Sequence, residues 1–158
     1  MAKLRLLGII CLFIAMAAMR GSAVLGQAAK ESIRDQFVGA WWLISLEQPD
    51  AQGKIRKADC SGLLVYARDG HMSVHVMYRN PQNGNSAVPE QYAQGGYEAS
   101  FGTYQIDDAH TFTFHVEGAL VRTLVGKDLT RVFDLSGKQL IVESPDPNEH
   151  WKVIWERY

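Results

Sequence analysis

Apolar and polar positions in this chain alternate in short runs, and pairs of turn-forming residues separate the runs. The clearest case joins Ser61–Ala67 to His71–Tyr78 through Asp69-Gly70, two β-rich segments about a strong hairpin signal. With those two residues as the loop, Arg68 faces His71 and the pairing proceeds in steps of two. One face then carries Leu63, Val65, Ala67, Met72, Val74 and Val76, and the other Leu64, Tyr66, Ser73, His75 and Met77. The first set is wholly apolar and is expected to line an interior.

Leu129–Leu135 and Lys138–Ser144 form a second hairpin about Ser136-Gly137, which sets Phe133 opposite Leu140 and Arg131 opposite Val142 on one inward face. Phe101–Ile106 and His110–Val116 pair around Asp107-Asp108-Ala109, a loop that permits two registers, so their facing stays open. The last strand, Trp151–Tyr158, alternates Trp151, Val153, Trp155 and Arg157 inward against Lys152, Ile154, Glu156 and Tyr158. Trp41–Glu47 reads as the first strand. Before it, Ile33, Phe37 and Val38 lie at helical spacing in a short helix over Lys30–Val38, with Gly39 as its stop. Asn80–Ala87 is loop-like, and Pro89 opens a weak helical insertion through Tyr92–Tyr97, broken by Gly95-Gly96.

These elements predict an all-β domain: an eight-stranded up-and-down antiparallel barrel with a short N-terminal helix and a short helical insertion. Closure is favoured over a sandwich because it removes exposed sheet edges. Residues 1–26 stand apart as a signal peptide, with Lys3 and Arg5 ahead of the apolar run Leu6–Met19 and small residues after it. The run is short for a bilayer span, and an uncleaved anchor is the alternative. The expectation is a secreted or periplasmic protein whose domain is residues 27–158, with no stable membrane span after cleavage.

Lys3, Arg5 and Arg20 leave with the leader, so 16 Lys and Arg fall to 13 against 17 Asp and Glu, a net charge near −4. A nucleic-acid partner is not expected from that balance. Cys60 would be the one cysteine left, so the core must hold without an internal disulfide. It is a reactive thiol, an intermolecular bridge or, as a lone cysteine beside a strand more often is, a small, partly buried residue.

Gly39-Ala40-Trp41 after a short helix, with Arg157 in the final strand, resembles the lipocalin pattern. More closely, Gly62-Leu63-Leu64-Val65-Tyr66, Asp69-Gly70-His71-Met72-Ser73-Val74, Phe101-Gly102-Thr103-Tyr104, His115-Val116-Glu117-Gly118 and Trp155-Glu156-Arg157 look like the bacterial and fungal lipocalin-like domain family. The resemblance spans nearly the whole mature chain and implies a barrel closed by Gly39, Trp41 and Arg157, the arginine packing across the tryptophan. It says little about activity. The paired cysteines of many secreted lipocalins are missing.

The inferred barrel lining, Leu63, Val65, Met72, Val74, Val76, Phe133, Leu140, Val142, Trp151 and Trp155, suits a small hydrophobic molecule, and Arg131 adds a fixed cation for a carboxylate or enolate. Arg131 snorkelling to water at the rim is the equal alternative. An enzymatic reading uses His115 and Glu117, two residues apart on one strand, as an acid-base pair of isomerase or cyclase type. Their other reading is a solvated strand face. Tyr92, Tyr97 and Phe101 would form either a lid or a plug at the open end. A metal site from His115, Glu117 and a further histidine is chemically conceivable, but His-x-Glu spacing on a strand is weak evidence and no metal is expected. No cofactor is expected either, since no phosphate loop, dinucleotide fingerprint or nucleophile elbow occurs.

Overall fold

The computed structural model describes residues 26–50, 52–79 and 91–158. Residues 1–25 of the expected leader, the loop at Asn80–Ala87 and the Pro89 start of the insertion lie outside the described residues, while Gly26, expected to end the leader, is the first residue of the helix. One helix, α1 (residues 26–37), leads into β1 (Gly39–Pro49), β2 (Ile55–Lys57), β3 (Cys60–Tyr66), β4 (His71–Tyr78), β5 (Tyr97–Ile106), β6 (Thr111–Ala119), β7 (Asp128–Ser136), β8 (Gln139–Glu143) and β9 (Lys152–Arg157). A 3-10 turn at Arg122–Leu124 joins β6 to β7.

Strands β3 to β9 pair antiparallel in chain order, β1 pairs with β3, and β1 also pairs with β9 from Trp41↔Arg157 to Glu47↔Lys152. Eight strands thus close into an up-and-down barrel, and the three-residue β2 only extends the far end of β1. Closure pairs the first and last strands with each other, which leaves the unstapled barrel no long open edge.

The first hairpin differs from expectation by one residue. Ala67 N–H donates to His71 O at 2.8 Å and Gly70 N–H to Ala67 O at 3.2 Å, so the loop is Arg68-Asp69-Gly70 rather than Asp69-Gly70. Gly70 takes φ of 98°, and the Asp69 carboxylate accepts the His71 N–H, which stabilises the longer turn. Tyr66 therefore pairs with Met72 and Leu64 with Val74. A one-residue slip reverses a strand's facing, so Leu63 and Val65 turn outward while Leu64 and Tyr66 turn inward. The second hairpin turns about Gly137-Lys138, giving Phe133↔Val142 and Leu135↔Leu140. That slide moves the pairing by two and preserves both faces.

Two bulges set the remaining facing. In β1 the pairing with β9 skips Ile44, so Trp41 and Leu43 face inward before it, and Leu46 and Gln48 after it. In β6 the extra residue is Glu117, because Phe101 pairs with Gly118 and Gly102 with Val116. A Cβ at Gly102 would overlap the His115 carbonyl oxygen, so the bulge requires glycine there. The described part of the expected helical insertion is a turn: Gly95 and Gly96 take φ of 62° and 80°, Gln94 bridges Tyr97, and β5 starts at once.

The floor of the barrel is aromatic. Phe37, the last residue of α1, is fully buried with its ring 4.8 Å from Tyr66, 4.9 Å from Phe133, 5.6 Å from Phe112 and 6.2 Å from Tyr104. Such pairs each add about 0.5–1.5 kcal/mol beyond area burial. Trp41 donates its indole N–H to Phe37 O at 2.8 Å, and the Arg157 guanidinium lies 4.6 Å from the Trp41 ring while bonding Gln36 O.

Phe37→Ala is expected to lower unfolding free energy by about 3–5 kcal/mol in chemical denaturation, because four rings lose one shared partner. Gly102→Ala should lower it by about 3 kcal/mol, with a matching fall in the thermal midpoint.

Candidate functional site

Above the aromatic floor the lumen encloses a cavity of about 90 Å³, partly open to solvent. Its wall is built from alternate residues of all eight barrel strands, mostly Leu, Val, Met, Phe and Trp. Met72, Val74, Val76, Arg131, Val142, Trp151 and Trp155 face this space. Phe133 and Leu140 also point inward but are buried in the floor and core beside the cavity. Leu63 and Val65 lie on the outer wall, with Leu63 37% exposed, for the register reason given above.

Polar groups enter the cavity at two places. On one wall Gln48 of β1, Tyr78 of β4, and Glu98 and Ser100 of β5 line it together. The Tyr78 hydroxyl donates to Gln48 Oε1 at 3.1 Å, and burial pushes the phenol up, so it stays neutral. Burial likewise lifts the Glu98 carboxyl to about 7, and the Arg131 charge only partly opposes that rise. No ion pair joins Glu98 to Arg131 among the described residues.

The second polar place is Arg131 on β7. Its guanidinium lies 5.1 Å from the Trp151 ring and 5.3 Å from the Tyr92 ring, and Nη1 donates to Thr130 O at 3.0 Å. Glu149 fixes the two rings: it accepts from the Tyr92 hydroxyl at 2.9 Å, from Trp151 Nε1 at 3.1 Å and from Gln91 Nε2 at 3.1 Å. Tyr92 therefore covers part of the lumen, tied to the loop before β9. Tyr97 and Phe101 take no part in a lid, because they are odd-numbered residues of β5, whose inward positions are even; Phe101 packs its ring over Gly118 outside.

His115 and Glu117 are both exposed on the outer wall, and Glu117 is the bulged residue, so no acid-base pair forms between them in the lumen. The carboxylate that meets His115 is its cross-strand partner Asp128, with Nδ1 and Oδ1 2.7 Å apart. His71 meets Asp69 and His75 meets Tyr97, so each of these histidines has a partner other than His115. A separate polar groove of about 770 Å³ runs along α1, with Lys30, Arg34, Asp107, His115 and Asp128 among its walls. Burial pushes the Cys60 thiol up to about 11, with Asp59 adding to the rise, so it stays protonated near neutral pH and is a poor nucleophile.

Gln48 and Leu46 escape sequence reasoning because the β1 bulge breaks the alternation that would place them. Glu98 and Ser100 carry a usable signal: Tyr97-Glu98-Ala99-Ser100-Phe101 alternates as a strand, and extending β5 backward to Tyr97 would have set both on one face.

No curated protein matches the chain. Among solved structures, a lipocalin-like protein from Bacteroides uniformis shares 19% identity and a TM-score of 0.47, covering 78% of this chain and 99% of its own. An uncharacterized protein from Bacteroides eggerthii shares 17% identity with a TM-score of 0.46, covering 77% and 99%. A redesigned β-barrel shares 9% identity with a TM-score of 0.43, covering 79% and 94%. The sequence model of the lipocalin-like domain matches residues 38–157, from the residue before β1 to the end of β9, and the chain therefore belongs to the lipocalin-like domain family.

Proposed function

We propose that this lipocalin-like barrel is an exported carrier that binds a small hydrophobic molecule in its lumen, with an anionic or electron-rich group held by Arg131. The observation that carries the reading is one cation facing an otherwise mainly apolar cavity, its guanidinium fixed by Tyr92 and Trp151. An apolar space with a few polar anchors is the usual form of a small-molecule site, and a half-buried guanidinium facing such a space is well matched by an anion. A cavity of about 90 Å³ limits the enclosed part to a few heavy atoms, so a longer ligand would extend through the open side. Export is the reading supported by the basic start and apolar run of residues 1–26. The exposed setting of His115 and Glu117 gives the isomerase or cyclase reading no support at those two residues.

Decanoate and decanol serve as a matched pair of probes, followed by quenching of Trp151 and Trp155 fluorescence. Arg131→Ala is expected to weaken decanoate about tenfold or more and decanol less than about twofold, since a charge-assisted bond is worth roughly 1.4 kcal/mol or more here. Equal losses for both probes would remove the arginine from ligand recognition. In the native host, the intact mass of protein recovered outside the cytoplasm should lack residues 1–26; a full-length mass would show a retained leader.

A further inference from the structure

Two unlike charges face the same small apolar cavity without touching each other. Glu98 enters from β5 and Arg131 from β7, the strands on either side of β6. The Arg131 side chain is held by two rings and a backbone carbonyl, and no hydrogen bond to the Glu98 carboxyl is made by any described residue. A carboxylate in such a place is costly unless something polar completes it. The cavity the two groups share is lined by Val76, Phe114 and Leu129 as well, which makes it a mainly apolar place.

We infer that Glu98 and Arg131 are a proton-transfer pair for small ketones bound in the lumen, Glu98 acting as base at the carbon beside the carbonyl and Arg131 holding the oxygen. The inference rests on the lumen-binding reading above. With a β,γ-unsaturated ketone the steps balance without a further reactant. Glu98 takes the α-proton, the C–H electron pair becomes a C=C bond, and the carbonyl π pair moves to oxygen. Arg131 N–H groups hydrogen-bond that dienolate oxygen. Glu98 then returns the same proton to the γ-carbon, the carbonyl reforms, and the product is the conjugated isomer.

An ordinary carboxylate is a weak base for this step. Burial in the cavity raises Glu98 to about 7, which keeps a substantial ionised fraction at neutral pH while strengthening the base. The groups facing it leave that titration to Glu98. Tyr78 on β4 and Cys60 on β3 are pushed up by burial and stay neutral, and so does Tyr92 at the mouth. Glu149 is engaged by Gln91, Tyr92 and Trp151, and Arg131 is the fixed cation.

The probe is the β,γ-unsaturated isomer of cyclohexenone, with conversion to the conjugated ketone followed by ultraviolet absorbance and binding by tryptophan fluorescence. The full chain should accelerate conversion over buffer, with a rate that is lost as pH falls through about 7 because the base becomes protonated. Glu98→Gln, nearly the same shape, should bind the probe as the wild type does and lose about a hundredfold in rate. Arg131→Lys should lose about tenfold while keeping the pH profile. A bound probe with no acceleration, or a Glu98→Gln rate equal to wild type, would overturn the catalytic pair and leave the binding reading standing. Failure of this probe, decanoate and decanol all to bind would overturn both.

Discussion

Phe37 belongs to the helix, yet its ring is fully buried in the barrel floor, where it packs against Tyr66, Tyr104, Phe112 and Phe133. The helix end is held in position because its last carbonyls find partners. Phe37 O accepts from the Trp41 indole, and Gln36 O accepts from Arg157. A helix C-terminus is the negative end of its dipole, so a guanidinium there is favourable, and the same guanidinium lies over the Trp41 ring. Trp41 and Arg157 are also the pair at which β1 meets β9. Helix capping, floor packing and sheet closure therefore converge on three side chains, which explains how an unstapled barrel of this size stays closed. The arrangement carries one cost, since Arg157 Nε is buried without a partner among the described residues.

From that floor the lumen changes character along its length. The bottom is filled by Phe37, Tyr66, Tyr104, Phe112 and Phe133, whose rings pack edge to face, and Tyr66 and Phe112 also form the lower wall of the cavity. Further up, smaller residues such as Val74, Val76, Val142 and Val153 leave open space. Around this space stand the groups that are expensive to bury: Gln48, Glu98, Ser100 and Arg131. A barrel selected only for stability would fill these positions with aliphatic side chains, since charged groups facing an apolar cavity oppose folding. Their presence beside this unfilled part of the lumen is the feature that most directs attention to binding and chemistry at this end. The Tyr92–Glu149–Trp151 contacts serve the same place, because they hold the two rings that orient Arg131.

The alternation of the chain carried the architecture. Strand after strand, the presence of hairpins near Gly70 and Gly137, the helix ending before Gly39 and the inward series Trp151, Val153 and Trp155 could be read without coordinates, because a period of two is a local property of extended backbone. A closed eight-stranded barrel followed from the number of hairpins and from the need to cover edges. Three facts lay beyond that reach. Whether the first hairpin turns on two residues or three depends on a hydrogen bond from Ala67 and the Asp69 side chain, and that choice alone decided whether Leu63 and Val65 or Leu64 and Tyr66 met the interior. The bulges at Ile44 and Glu117 insert one unpaired residue each, and a bulge is defined by the partner strand rather than by its own residues. For the same reason the sequence could name His115 and Glu117 as neighbours, but only register across β6 and β7 set His115 against Asp128 and drew Glu98 and Arg131 to one cavity, since contacts between distant strands are properties of the closed sheet.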